Sequence, residues 1–221
     1  AVSLLKEDVI FSLNYGNFED ELNIFNYNLA QNIDTFMVMK NGFFYIANGE
    51  SKKIMEMNSY GDLLSLYYNE DVNPKPSFSN SADVVSSTRK AEAYPFNKIS
   101  AIAADSSKKL YVVDELPVDR QELDLQDNTV LSQVVLRFDS EGKFLDYLGQ
   151  QGSGGTPFPL IKNIYVTDSN ELVVVCLSGV QKIVYWFNQE GFLLYKVPIS
   201  AQNVPNPNKT STAESFVNVE N

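Results

Sequence analysis

Apolar and polar residues alternate with period two over short runs, and the runs return in a fixed register. The pattern I-x-x-(I/F)-x-(V/A), a turn, then an apolar or aromatic triplet starts at Ile33 (IDTFMVMKNGFFYIAN), Ile99 (ISAIAADSSKKLYVVD) and Ile161 (IKNIYVTDSNELVVVC). In each copy the triplet begins eleven residues after the start, at Phe44, Leu110 and Leu172. A second shared block follows: KIMEMNSYGDLL from Lys53, VVLRFDSEGKFL from Val134 and KIVYWFNQEGFLL from Lys182. Alternation enriched in Val, Ile, Phe and Tyr reads as half-buried strand. Asn/Asp-rich and Gly-containing junctions supply the positive φ that short hairpins need.

The pattern therefore predicts four antiparallel strands per copy. In the first copy they are about Ile33 to Met39, Phe43 to Ala47, Ile54 to Asn58 and Leu63 to Tyr67. Repetition of such a unit describes a propeller blade, so the expected fold class is all-β, with three β-propeller-like blades of four antiparallel strands. The organisation reads as residues 1–32, an N-terminal segment with a strand of a neighbouring blade; 33–68, blade one; 69–98, a long loop; 99–148, blade two with an insertion at 115–132; 149–160, a Gly-rich link; 161–199, blade three; and 200–221, a link and the start of a fourth blade. Phe11 to Tyr15 is expected to end a strand as Phe144 to Leu148 does, and Phe216 to Val219 to open an inner strand. Known propellers have at least four blades, and open blade edges would be templates for aggregation. The chain is thus expected either to be a fragment of a larger propeller, for which six blades are expected, or to close with other material.

Composition narrows the chemistry. The net charge is −11, with no Lys/Arg run longer than a pair such as Arg89-Lys90, which argues against nucleic acid and against an anionic membrane surface. No histidine occurs, which removes Ser-His-Asp triads, His-ligated zinc and His general bases. Cys176 is the one cysteine, so no intrachain disulfide or Cys-x-x-Cys motif exists. Its apolar setting, LVVVCL, predicts a buried, inert thiol. No run of about 18 apolar residues predicts a membrane span. Gly149 to Gly155 lacks a following Gly-Lys-Ser/Thr and reads as a connection between blades, with no cofactor implied. Asp105 and Asp168 sit in first-hairpin turns, where Asx side chains bond their own backbone. Tyr185, Trp186 and Phe187 are expected in the core between blades. Asn208-Lys209-Thr210 matches a glycosylation acceptor, a pattern common by chance.

Copies two and three resemble NHL-type propeller repeats. The resemblance rests on LYVVD (Leu110 to Asp114), VVLRFDSEGKFLDYLGQQG (Val134 to Gly152) and Pro159, within residues 33–199. Copy three departs from it, with Cys176 where the Asp of the repeat stands; copy one has Asn48 there. The opening FSLNYGNFEDELNIF, Phe11 to Phe25, resembles spirochaete lipoproteins of the same propeller type, although the lipid-bearing cysteine is absent from this sequence. The resemblance implies a binding platform for proteins or RNA, the acidity disfavouring RNA, and an extracytoplasmic place in the periplasm or envelope, with a cytoplasmic one as the alternative. A minority of related six-bladed propellers are hydrolases or lyases holding a divalent metal, which is the second functional expectation.

Asn48 and Asp114 end the second strand of their blades. They read either as caps on the following turn or, with Asp34, as oxygen ligands at one channel mouth, which would suit calcium better than zinc. The acidic insertion Glu115 to Asn128 reads as a solvated loop or as an interaction loop. Tyr94 either anchors a partner or pins its loop to the blade. All long connections (69–98, 115–132, 149–160 and 200–213) belong to the class of turns that leaves one end of the sheets; the short turns leave the other. The expected function is a non-catalytic scaffold that binds a protein or peptide through the long-loop face, by Asp34, Asn48, Tyr94, Asp114, Glu115 and Arg120, with no bound metal.

Overall fold

The computed structural model describes residues 5–24, 35–79, 88–125, 128–149 and 155–200. Asp34 and the segment Phe216 to Val219 lie outside them. The chain divides into two compact units, Ala1–Phe96 and Asn97–Asn221. The described residues are all-β, in mainly antiparallel sheets that do not close on themselves; their only helical turns are two single 3-10 turns.

In the first unit β1 (Thr35–Lys40), β2 (Phe43–Asn48), β3 (Lys53–Met57) and β4 (Leu63–Tyr68) form an antiparallel meander. A fifth strand, β5 (Lys90–Ala93), corrects the expected four. It comes from the stretch read as loop and pairs in parallel with β4, Ser65 opposite Lys90 through Tyr68 opposite Ala93. Tyr94 N–H donates to Tyr68 O at 2.9 Å and continues the pairing. One face of this sheet carries Phe44, Ile46, Met55, Met57, Leu66 and Tyr68. Phe11, Leu13 and Leu22 of the N-terminal segment pack on that core. That segment is not the regular strand expected: it makes one isolated bridge, Tyr15 to Leu22. Three of the contacts that hold it reach β2 and β3. Phe11 meets Phe44 edge-on at 5.2 Å. The Asn48 amide accepts from Asn23 N at 2.9 Å and donates to Asn23 O at 2.8 Å. Lys53 Nζ donates to Phe18 O at 2.7 Å.

The second unit holds two four-stranded antiparallel sheets. One is β6 (Ile99–Ala104), β7 (Leu110–Glu115), β10 (Gln133–Phe138) and β11 (Phe144–Leu148). The other is β12 (Leu160–Val166), β13 (Leu172–Ser178), β14 (Gln181–Phe187) and β15 (Leu193–Ile199). Between β7 and β10, β8 (Glu122–Asp124) and β9 (Thr129–Leu131) make a small hairpin of their own, where the sequence read only a loop. The two sheets pack face to face through Val113, Val135 and Leu148 on one side and Ile164, Val174, Cys176, Tyr185 and Phe187 on the other. Phe158 of the link is fully buried in that layer, edge-on to Tyr185 at 5.2 Å.

The same devices recur in all three sheets. Each third-to-fourth-strand hairpin has a bulge at one place: Glu56/Met57, Arg137/Phe138 and Trp186/Phe187. Each turn is closed by an Asx side chain whose Oδ1 accepts two backbone N–H groups. Asn58 takes Tyr60 and Asp62, Asp139 takes Glu141 and Lys143, and Asn188 takes Glu190 and Phe192. Each ends in a glycine at positive φ, Gly61 at 83°, Gly142 at 80° and Gly191 at 91°, a conformation that disfavours any side chain. Gly191 is further constrained, since a Cβ there would lie 2.5 Å from the Arg137 guanidinium. That guanidinium is forked onto Asp146, with Nε to Oδ1 at 2.6 Å, the strong planar arrangement for such a pair.

Burial shows where the sheets end. β3 and β10 are buried along their whole length, so both faces of those strands are covered. β15 is exposed at six of its seven residues. Trp186 departs from expectation: it points to the opposite face from Tyr185 and Phe187, is half-buried, and its Nε1 donates to Glu171 Oε2 at 2.8 Å.

Candidate functional site

Asn48 and Asp114 occupy the same register, opposite the first residues of β1 and β6, and Cys176 occupies it opposite Ile161 of β12. Both polar residues are buried and spent on backbone. Asn48 holds the N-terminal segment and also donates to Thr35 Oγ1 at 3.2 Å. The Asp114 carboxylate accepts from Asn97 N and from Lys98 N, the latter at 2.7 Å, and so fixes the entry into β6. In the third sheet Cys176 can make no such tie, and Gln133 replaces it: its Oε1 accepts from Ile161 N at 2.7 Å. The Cys176 thiol is fully buried, and burial pushes its pKa upward.

The other predicted residues are more open. Glu115 ion-pairs with Lys98 at 3.1 Å, and its backbone O accepts from the Asn97 side chain. Arg120 is exposed on the 3-10 turn Val118–Arg120. Asp114 and Glu115 are thus gathered around Asn97 and Lys98. Tyr94, in the first unit, is half-buried against Phe96, with ring centroids 5.1 Å apart. Among the described residues, no three His, Cys, Asp or Glu side chains come together to hold a metal ion. No helix there is long and apolar enough to cross a membrane.

A concave feature sits at the long-connection end of the second unit, in a place no single motif marked. The β8–β9 hairpin and the link before β12 close over the outer part of the third sheet. They leave a cavity of about 100 Å³. Its apolar wall is Leu131, Ile183 and Tyr185 with Pro157 and Pro159; Asp124, Thr129, Ser178 and Lys196 are polar. Tyr185 is almost wholly buried, and burial, with a smaller contribution from Cys176, pushes its phenol up to about 12. It is a neutral platform at physiological pH. The Lys196 ammonium lies 5.5 Å from the centroid of that ring, within cation–π range. The nearest signal in the sequence was the insertion itself, whose Asp124 and Thr129 reach the cavity. Lys196 and Ile183 could not be found by motif, because only the sheet register brings them under the hairpin.

No protein-family model matches the chain, and no curated protein matches it. Among solved structures it is similar to the crystal structure, at 1.35 Å resolution, of a protein of unknown function from Bacteroides caccae, with a TM-score of 0.38 and 15% identity over 74% of this chain. The chain spans 46% of that protein's length.

Proposed function

We propose that this chain is a non-catalytic binding module built from NHL-like propeller blades, and that it captures a protein or peptide at the end of its sheets where the long connections emerge. The observation that carries this reading is the segregation of connections. In the second unit the short Asx–Gly turns leave one end of both sheets, while the 115–132 insertion and the Pro157–Pro159 link leave the other and enclose the cavity. Rigid sheets with their variable material on one side are the usual way a scaffold carries recognition. The cavity wall offers recognition features: the Tyr185 phenol, pushed up to about 12 by burial, and the Lys196 ammonium over its ring. An envelope location belongs to the same proposal and is supported by the likeness of Phe11 to Phe25 to lipoprotein openings.

The test is charge reversal at each end of the sheets. Peptides selected from a display library on the full chain are measured against Glu115→Lys with Arg120→Glu, and separately against Lys143→Glu with Glu190→Lys. Loss of binding from the first pair alone is expected. Loss from the second pair alone overturns the assignment.

A further inference from the structure

We propose that the β1–β2 turn, Asn41-Gly42, is a site of spontaneous covalent modification, at which Asn41 converts through a cyclic imide to isoaspartate, and that the conversion releases β1 from its sheet. This goes beyond the binding reading and does not depend on it.

The chain contains two Asn-Gly pairs, Asn41-Gly42 and Asn48-Gly49. This dipeptide closes to a cyclic imide more readily than other Asn sequences, because glycine has no side chain to hinder its backbone nitrogen. The structure puts the two pairs in opposite surroundings. Asn41 and Gly42 are both exposed and form the two-residue loop between Lys40 and Phe43, the last pair of the ladder. Their φ angles, 51° and 79°, belong to the tight hairpin turn that favours this dipeptide. In such a turn the main-chain bonds run between the flanking residues, here Lys40 and Phe43, and the Gly42 N–H is left to solvent. A Cβ added at Gly42 would meet nothing within 4 Å, so the turn is open on that side. Among the described residues no hydrogen bond holds the Asn41 side chain.

Asn48 is the internal counter-case. It and Gly49 are buried, and Asn48 is 0% exposed. Its Oδ1 accepts from Asn23 N at 2.9 Å, and its Nδ2 donates to Asn23 O at 2.8 Å and to Thr35 Oγ1 at 3.2 Å. The side chain cannot swing onto the Gly49 nitrogen without breaking all three bonds and opening the site to water.

The chemistry needs water alone. Hydroxide takes the Gly42 amide proton, and the nitrogen attacks Asn41 Cγ. An N–Cγ bond forms, the Cγ–Nδ2 bond breaks, and Nδ2 leaves as ammonia with a proton from water. Water then opens the five-membered ring at either carbonyl. One opening gives aspartate; the other gives isoaspartate, whose main chain runs through Cγ. The sum is amide plus water to carboxylate plus ammonium, with no change of oxidation state.

The consequence follows from loop length. Isoaspartate adds one backbone carbon to a loop of two residues, and in a hairpin the loop sets the register. Lys40 then no longer sits opposite Phe43. Among the described strands β1 pairs with β2 alone, so no other strand holds it in place.

The test is to age the full chain at neutral and at mildly alkaline pH in heavy-oxygen water, folded and in guanidinium chloride. Peptides are then mapped by mass spectrometry, and isoaspartate is identified with isoaspartyl methyltransferase. In guanidinium both pairs convert, which gives the intrinsic rate of each. In the folded chain Asn41 should convert, faster at the higher pH and with isoaspartate the main product, while Asn48 lags at least about a hundredfold, the cost of opening three hydrogen bonds. Hydrogen exchange on the aged chain should show lost protection in β1 with β3 and β4 unchanged. Asn41→Asp carries the charge on an ordinary backbone and should keep β1 protected. Asn41→Gly suits the turn, lacks the amide and should not age. An Asn41 that stays intact in the folded chain while it converts in guanidinium overturns the site, as does conversion of Asn41 and Asn48 at equal rates in the folded chain, or a rate indifferent to pH. Full protection of β1 in the isoaspartate form, or equal loss in Asn41→Asp or in aged Asn41→Gly, overturns the release of the strand.

Discussion

Lys53 offers a quantitative test of how the N-terminal segment is held on the first sheet. The residue is 1% exposed, and its ammonium donates to Phe18 O at 2.7 Å. Burial lowers its pKa from 10.5 to about 8, although the carboxylates of Glu21, Asp20 and Glu19 pull the other way. At pH 7 both the folded and the unfolded chain carry the proton. The charge then costs the folded state about 3 kcal/mol relative to a neutral amine, at 1.36 kcal/mol per unit. Above pH 8 the folded chain releases the proton while the unfolded chain keeps it until 10.5, so stability rises with pH across that window. The neutral amine still donates to Phe18 O, so nothing structural is lost. Lys53→Met keeps the length of the side chain and removes the titration. Urea midpoints for both proteins at pH 7, 8, 9 and 10 should show the wild type gaining about 2–3 kcal/mol on the variant between the ends of that series. Tyr111 and Tyr185, both pushed up to about 12, favour the folded state less only above pH 10, and they act equally in both proteins. A difference that stays flat from pH 7 to pH 10 refutes a buried ammonium at this position.

The turn glycines are separable by surroundings. Gly42→Ala, at φ 79° with nothing near the added Cβ, should cost about 1–2 kcal/mol from backbone strain alone. Gly191→Ala must also displace the Arg137 guanidinium and should cost about 1–3 kcal/mol more, read from denaturant midpoints; equal costs would show that the guanidinium moves freely. Asp114→Ala strips acceptors from the Asn97 and Lys98 N–H groups and should destabilise by about 2–3 kcal/mol in thermal melts, whereas Glu115→Ala, half-exposed, should change stability by about 0.5 kcal/mol or less. Cys176 should resist an aromatic disulfide reagent in the folded chain and react fully in urea; fast labelling of the native protein would contradict its burial.

What could be read from the sequence was local. The hairpins, their Asx turns and their glycines are signals within about a dozen residues, and β2, β3 and β4 lie within a residue or so of where period-two alternation put them. β5 escaped because Lys-Ala-Glu-Ala, although it alternates, has no branched or aromatic residue; it becomes a strand only through β4, which lies 21 residues upstream of it. β8 and β9 escaped because three-residue strands in an acidic loop carry almost no periodic signal. Trp186 was assigned to the packed layer with its neighbours, yet alternation within β14 sends it to the other face. The roles of Asn48 and Asp114 turn on which backbone groups come within 3 Å, and tertiary structure decides that. Cavity walls drawn from four separate stretches are invisible to any window along the chain.

The ties made by Asn48 and Lys53 bear on the order in which the first unit assembles. Every antiparallel pairing of its sheet joins strands adjacent in the chain. The side chains holding the N-terminal segment instead close spans of 25 and 35 residues. Short closures form faster than long ones, because less chain entropy must be lost before a contact is made. The meander should therefore acquire exchange protection first, with Asn48 and Lys53 still wet and Phe44 uncovered. The segment around Phe11 then docks last, driven by apolar burial and sealing an ammonium that was hydrated until that moment. Pulse-labelled hydrogen exchange would resolve the two stages, with Leu22 N–H acquiring protection after the amides of β2 and β3.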